Sequence, residues 1–199
     1  LEKAKKEGST FKEVDAERDN VLNILNELVP VYKDLTAYDD SKAYMNDGGA
    51  KGKELAAKYV AAVEKFDAAY AKFNETLNKV NAEQSKKQIE KLKKDGKKGY
   101  AAAMESTLRL TELVDKLEKA PQNADKAAVE KELSEIEALL KSINNDRGQV
   151  LADRYNSVVG DVRQVLADPS DSNLNNMIEG FNGYIDTYNS TTPDQFDAK

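Results

Sequence analysis

Three residue types that often carry chemistry are missing from this 199-residue chain, which has no cysteine, no histidine and no tryptophan. Without cysteine there can be no disulfides, thiolate nucleophiles or cysteine-based metal sites, and the absence suits an oxidising compartment. Without histidine the chain lacks the usual general base near neutral pH and the commonest metal ligand. We therefore expect a non-enzymatic protein that needs no cofactor.

Long apolar runs are missing too, since no run approaches the roughly 20 residues that a membrane helix needs. The formal net charge of −6 makes nucleic acid a poor partner, because phosphate contacts need a basic face. The charged residues at the start of the sequence do not have the pattern of a signal peptide. We expect that a segment upstream of them has been removed.

Apolar residues recur every three or four positions along most of the chain, and no strand-like alternation occurs. This pattern predicts an all-α fold, an elongated antiparallel bundle of about five to six helices. Residues 1–9 are predicted to be a disordered N-terminal segment, residues 10–190 a single helical-bundle domain, and residues 191–199 a C-terminal tail. Pro30 should kink or interrupt the first helix.

The strongest periodic signal predicts one long helix near residues 50–94. Its apolar residues alternate steps of four and three, which is the pattern of a heptad seam. The seam consists of Tyr59, Val63, Phe66, Tyr70, Phe73, Leu77 and Val80. Three later tyrosines, Tyr155, Tyr184 and Tyr188, also lie on predicted inward stripes, where their hydroxyls should find partners or reach water.

The segment between the first helix and the long helix is dense in carboxylates. Asp39, Asp40 and Asp47 offer oxygen ligands for a hard cation such as calcium, and Lys51 follows them. Their spacing is not that of an EF-hand. The simpler interpretation, which we favour, makes Asp47 a cap of the long helix and leaves Asp39 and Asp40 in solvent. No metal site is therefore predicted.

A basic stretch over residues 86–98 stands out in an otherwise acidic chain. Its lysines are Lys86, Lys87, Lys91, Lys93, Lys94, Lys97 and Lys98. They could contact anionic lipid head groups or an acidic partner. The alternative, which we favour, is a solvated helix end at which lysines are stabilised by the helix dipole.

Several motifs within residues 25–190 carry a family resemblance. They are Tyr38-Asp39, Lys42, Tyr44, Asp47, Ala50-Lys51-Gly52-Lys53-Glu54-Leu55, Phe66 with the Ala/Tyr/Phe run after it, Glu90 to Gly96, Tyr100, Tyr155-Asn156-Ser157 and Tyr188-Asn189-Ser190. In these the chain resembles the YiiG-like family of uncharacterised bacterial lipoproteins. The resemblance implies an exported, all-helical domain on the periplasmic side of the envelope, made with a signal peptide and anchored by lipid on a cysteine upstream of Leu1. The chain departs from that family at Ala56 or Ala57, where many relatives have a histidine.

These observations predict a non-enzymatic cell-envelope lipoprotein domain with a structural or protein-interaction role and an unidentified envelope protein as its partner. Membrane contact would be made only through the lipid anchor. The alternative is a small-ligand or cation-binding module that uses the loop around residues 38–52. A third hypothesis, an enzyme that works through carboxylates alone, would need two facing carboxylates in a deep cleft.

Overall fold

Helices account for nearly all of the chain that the computed structural model describes, residues 10–198. The eight α-helices are α1 Lys12–Asp40, α2 Tyr44–Asp47, α3 Ala50–Lys94, α4 Lys98–Lys119, α5 Lys126–Lys141, α6 Asp146–Ala167, α7 Asp171–Asn189 and α8 Pro193–Phe196. No β-strand occurs between residues 10 and 198, so the prediction of an all-α fold is confirmed. The predicted disordered segment, residues 1–9, lies outside the described residues.

The long helix that the heptad pattern predicts near residues 50–94 is α3, Ala50–Lys94. Residues 10–198 contain eight α-helices rather than about five or six, because α2 and α8, with four residues each, are too short to show a periodic pattern. Pro30 does not interrupt α1, which continues through it, and the kink that the sequence predicts as the alternative stays a prediction. Within residues 10–198, no helix combines the length and the low polarity that crossing a membrane requires.

Contacts along the chain divide it into two compact units, the first ending at Ala82 and the second beginning at Glu83. The helix α3 contributes residues to both units. The sequence predicted one helical-bundle domain over residues 10–190, and both that single domain and the antiparallel order of its helices stay predictions.

In the first unit, the apolar seam of α3 is only partly covered. Val80 is 3% exposed, whereas Tyr70 is 47% exposed. Val63 and Phe66 are half-buried. The expected inward position of Tyr70 is therefore wrong, because the described elements of this unit cover only one side of the stripe.

The second unit has the more extensive core. Its buried side chains come mainly from α4, α5, α6 and α7, and α6 packs closely against α7. Tyr155 and Tyr184 are 1% and 0% exposed. The Tyr155 hydroxyl donates to the carbonyl of Leu133 at 2.5 Å, and the Tyr184 hydroxyl lies 3.1 Å from the hydroxyl of Ser106. The expectation that these two hydroxyls find partners is confirmed.

The segment predicted as a C-terminal tail, residues 191–199, packs against the second unit over its described part. Pro193–Phe196 form α8, which contacts α4 and α6. The side chain of Phe196 is 2% exposed and belongs to the hydrophobic core. A single aromatic residue in a short polar segment gives no periodic signal, so the pattern could not predict this burial.

Candidate functional site

The carboxylate-rich turn lies between α1 and α3. Lys42 has a φ of 53°, and Gly48 and Gly49 have φ values of 64° and 85°. Glycine adopts this left-handed region without steric cost, which explains the Gly-Gly pair at the point where the chain enters α3. The segment between α1 and α3 is therefore a defined backbone turn.

The carboxylate of Asp47 is the centre of this turn. Its Oδ1 accepts hydrogen bonds from the Tyr38 hydroxyl at 2.7 Å and from the Gly49 amide at 2.9 Å. Its Oδ2 accepts the Lys51 amide at 3.2 Å, which satisfies a donor in the first turn of α3. The hydrogen bond from Tyr38, followed by those from the amides, lowers the pKa of Asp47. The carboxylate thus acts as a helix-start acceptor, as the favoured interpretation of the sequence expects.

Tyr38 is held against the first turn of α3. A methyl group on Gly52 would lie 2.6 Å from Cε1 of Tyr38, so the ring fits only because residue 52 is glycine. Desolvation and the hydrogen bond to Asp47 raise the pKa of the Tyr38 hydroxyl. Tyr38 is not among the predicted site residues Asp39, Asp40, Asp47 and Lys51, although Tyr38 and Gly52 both belong to the motifs of the family resemblance.

A groove of about 500 Å³ lies beside the turn. Its lining residues are Asp34, Ala37, Tyr38, Ser41, Ala43, Asn46, Asp47 and Lys51. Asp39 and Asp40 are exposed and do not line it. The structure therefore brings Asp47 and Lys51 together and leaves Asp39 and Asp40 outside the groove. Between residues 10 and 198, no group of three acidic side chains is arranged to hold a metal ion.

The seven lysines of the basic stretch over residues 86–98, which we call the basic surface patch, are all exposed. Three of them form ion pairs: Lys86 with Glu112 at 3.3 Å, Lys93 with Glu105 at 2.8 Å and Lys97 with Asp194 at 3.2 Å. The hydrogen bond with Glu105 raises the pKa of Lys93. For the other four, Lys87, Lys91, Lys94 and Lys98, no carboxylate of residues 10–198 forms an ion pair. Three lysines of the patch thus have a carboxylate partner, and the other four have none within residues 10–198.

A second groove, of about 610 Å³, lies in the second unit between the C-terminal half of α4 and the start of α5. Its apolar lining includes Leu113, Leu117 and Val129, and charged side chains border them. The pattern of the sequence did not indicate this groove, because these three leucine and valine positions are also ordinary core positions of amphipathic helices.

Arg109 joins α4 to α5 at the edge of this groove. Its Nε and Nη2 donate to the two carboxylate oxygens of Glu132 at 2.7 and 2.9 Å, and Nη2 also contacts Glu135. The hydrogen bonds raise the pKa of Arg109 and lower that of Glu132. The guanidinium therefore pairs with Glu132 in a bidentate arrangement and makes a single further contact with Glu135, which suits helix packing rather than acid–base chemistry.

Comparison with known proteins gives a match to a protein family. A family model described as "Protein of unknown function (DUF3829)" matches residues 1–167. No curated protein and no solved structure matches the chain. The match supports the expected relation to an uncharacterised family, whereas the YiiG-like resemblance and the lipid anchor stay predictions.

Proposed function

We propose that this chain, which belongs to the family of proteins of unknown function DUF3829, is a non-enzymatic cell-envelope lipoprotein domain that binds another protein. One observation carries the binding role. Of the seven large hydrophobic side chains that are exposed within residues 10–198, six belong to the first unit: Val29, Tyr32, Tyr44, Met45, Val60 and Tyr70. Clusters of exposed apolar side chains mark interaction surfaces on soluble domains.

Aromatic rings dominate this surface. Phe66 and Tyr70 stack at 5.7 Å between ring centroids, and the centroids of Tyr70 and Phe73 are 6.5 Å apart. The Tyr32 ring of α1 lies 6.0 Å from the Tyr59 ring of α3. We call these five residues the aromatic face. Such rings offer a large contact area at low conformational cost, and they fit an apolar protein surface better than a charged ligand.

We also propose that α1 and α3 form an antiparallel pair that holds the aromatic face rigid. Glu17, early in α1, forms a 2.8 Å ion pair with Lys72, late in the first unit's part of α3. Tyr32, nearer the end of α1, contacts Tyr59. From Glu17 to Tyr32 the residue numbers in α1 increase, while those of their partners in α3 decrease from Lys72 to Tyr59. This is the order of contacts in an antiparallel pair.

The non-enzymatic part of the proposal is supported by the use of charged groups as links between helices. Arg109 neutralises Glu132, as described above. Arg163 of α6 donates to both carboxylate oxygens of Glu130 in α5, at 2.9 and 2.8 Å. Groups that are neutralised in this way stabilise packing, whereas an acid–base pair needs pKa values that are moved towards the working pH.

Site-specific photo-crosslinking in the producing cells tests the interaction. A photoreactive residue replaces Tyr70 or Val60 in the full-length protein, and Lys65, an exposed residue on the other side of α3, serves as the matched control. We expect a crosslinked protein of one defined size from positions 70 and 60 and none from position 65. The same adducts from all three positions, or none from positions 70 and 60, would refute the exposed apolar side chains of the first unit as the binding surface.

Labelling with a radioactive fatty acid tests the anchor. Cells that produce the full-length protein should incorporate label into it, and replacement of an upstream lipid-attachment cysteine should abolish the incorporation. A full-length protein that takes up no label would rule out the lipoprotein assignment without affecting the interaction test.

The groove beside Tyr38, Asp47 and Lys51 supports a second candidate, a small-ligand or cation-binding module. A thermal-shift screen with calcium, magnesium and small metabolites tests it. Asp34→Asn removes a charge from the groove wall, and Asp40→Asn is the control outside it. Stabilisation by one compound that Asp34→Asn removes and Asp40→Asn retains would favour this candidate, and a screen without any shift would count against it.

A further inference from the structure

The groove of the second unit between α4 and α5, which we call the α4–α5 groove, has an apolar lining. Three buried side chains lie along it: Leu113, Leu117 and Val129. Three small side chains also line it: Ala120, Ala124 and Ala128. Because alanine has a single methyl group, these positions leave open the space that larger side chains would fill. An apolar ligand can therefore lie between the two helices.

The dimensions of the α4–α5 groove suit a small molecule. Its volume of about 610 Å³ lies within the roughly 300–1,000 Å³ that is usual for small-molecule sites. A stable protein interface uses roughly 20–30 residues on each side, which is more than line this groove. The size therefore favours a small ligand over a protein partner.

The acidic side chains that line the groove already have partners. Both carboxylate oxygens of Glu132 accept from Arg109, and Glu112 pairs with Lys86 at 3.3 Å. Asp125 caps α5 and accepts two backbone amides. None of these carboxylates is left to bind a cationic ligand.

Two basic side chains of the groove have no such partner. Lys116 and Lys119 line the groove and are exposed, and no carboxylate of residues 10–198 forms an ion pair with either. They are three residues apart in α4, so their side chains are neighbours on the helix surface. Both ammonium groups can therefore donate to one carboxylate, whose two oxygens accept several hydrogen bonds. The charge that remains available in the groove is positive.

We propose that the α4–α5 groove binds a fatty acid. The acyl chain lies along the apolar lining, and the carboxylate accepts hydrogen bonds from Lys116 and Lys119. An apolar cleft in which a few polar groups fix the orientation is the usual composition of a small-molecule site. The groove belongs to the second unit and the aromatic face to the first, so failure of this proposal would leave the proposed protein-binding role untouched.

Fluorescence titration of the intact chain with dansyl-undecanoic acid tests the proposal. We expect saturable binding that dodecanoate reverses and that dodecyltrimethylammonium, an amphiphile of the opposite charge, does not reverse at the same concentration. Dodecanoate should displace the probe roughly fivefold better than decanoate, because two more methylene groups are partly removed from water.

The double variant Lys116→Gln/Lys119→Gln tests the head-group contacts. The affinity for the probe should fall roughly tenfold, because two exposed charge contacts are lost. The matched control is Lys126→Gln/Lys131→Gln, which removes the same charge from exposed positions of α5 that do not line the groove. It should bind the probe as the wild type does. Lysines near the end of a helix also stabilise its dipole, and circular dichroism of both variants separates that role from binding.

Ala128→Leu tests the place of the acyl chain. Leucine is a good helix former, so α5 should be retained, while its larger side chain enters the groove and weakens binding roughly tenfold. Ala127→Leu, at an exposed neighbouring position outside the lining, is the control. Four results would each overturn the proposal: no saturable binding to the wild type, equal losses from the two lysine pairs, unchanged affinity in Ala128→Leu, and displacement by an acidic amphipathic peptide but not by dodecanoate.

Discussion

A buried hydroxyl cluster in the second unit predicts that the effect of Tyr184→Phe on the unfolding free energy changes sign when the neighbouring hydroxyls are removed. The Tyr184 hydroxyl lies 3.1 Å from Oγ of Ser106 and 3.2 Å from Oγ1 of Thr107. Both of those hydroxyls donate to the carbonyl of Ala103 at 2.8 Å. Since their own protons are used there, the Tyr184 hydroxyl is the donor to one of the two. Every proton in the cluster therefore has an acceptor.

In the wild-type chain, Tyr184→Phe removes one hydrogen bond and leaves no remaining donor without an acceptor. The expected loss is about 1 kcal/mol of unfolding free energy. In a Ser106→Ala/Thr107→Val background, however, the Tyr184 hydroxyl is fully buried and has lost both partners. There, Tyr184→Phe relieves an unsatisfied polar group and should stabilise the protein by about 1–3 kcal/mol.

Urea unfolding followed by circular dichroism at 222 nm measures all four proteins of this cycle. Tyr155→Phe is the control, because its hydroxyl donates to the Leu133 carbonyl and should cost the same in both backgrounds. If Tyr184→Phe destabilises both backgrounds by the same amount, the hydroxyls do not act as the network that the distances describe.

Two further predictions concern α6 and its surroundings. Gly160→Ala should stabilise the protein by about 0.5–1 kcal/mol, because nothing lies within 4 Å of the added methyl, whereas Gly148→Ala should destabilise it, since that methyl would lie 2.6 Å from the Ile143 side chain. Urea unfolding of the two variants measures both effects, and equal changes in unfolding free energy would contradict the steric argument. Desolvation raises the pKa of Asp161 above its ordinary value of 3.8, so the charged form weakens the fold. Compared with Asp161→Asn, the wild-type chain should gain stability as the pH falls from 7 through the raised pKa and towards 3.8, and parallel stability curves of the two proteins over that range would refute this.

The periodicity of the sequence predicted the bounds of the long helix, but it did not predict how deeply the side chains of that helix are buried. A heptad pattern reports which side of a helix is apolar, and the number of neighbours that cover that side is a tertiary property. Tyr184 is enclosed by helices of the second unit and is 0% exposed, whereas Tyr70 remains 47% exposed in the first unit. The two tyrosines have similar surroundings in the sequence and different surroundings in space.

The candidate sites divide in the same way. The role of Asp47 could be inferred because two of its donors, the Gly49 and Lys51 amides, are only two and four residues away. The Arg109–Glu132 link could not, since 23 residues separate its members. The hydrogen bond from Asn145 to the carbonyl of Phe196 spans 51 positions. Local chemistry is readable from a sequence, but partners that only folding brings together are not.

The contact between Gly99 and Asp197 bridges 98 positions of the chain. Helical proteins usually fold fast because most of their contacts are local. Here, however, the hydrophobic core that starts near Ala102 also includes Phe196, so it is complete only after the ribosome has made residue 196. The second unit must therefore wait for nearly a hundred residues of synthesis with part of its apolar surface uncovered, a period in which a chaperone would have most to protect.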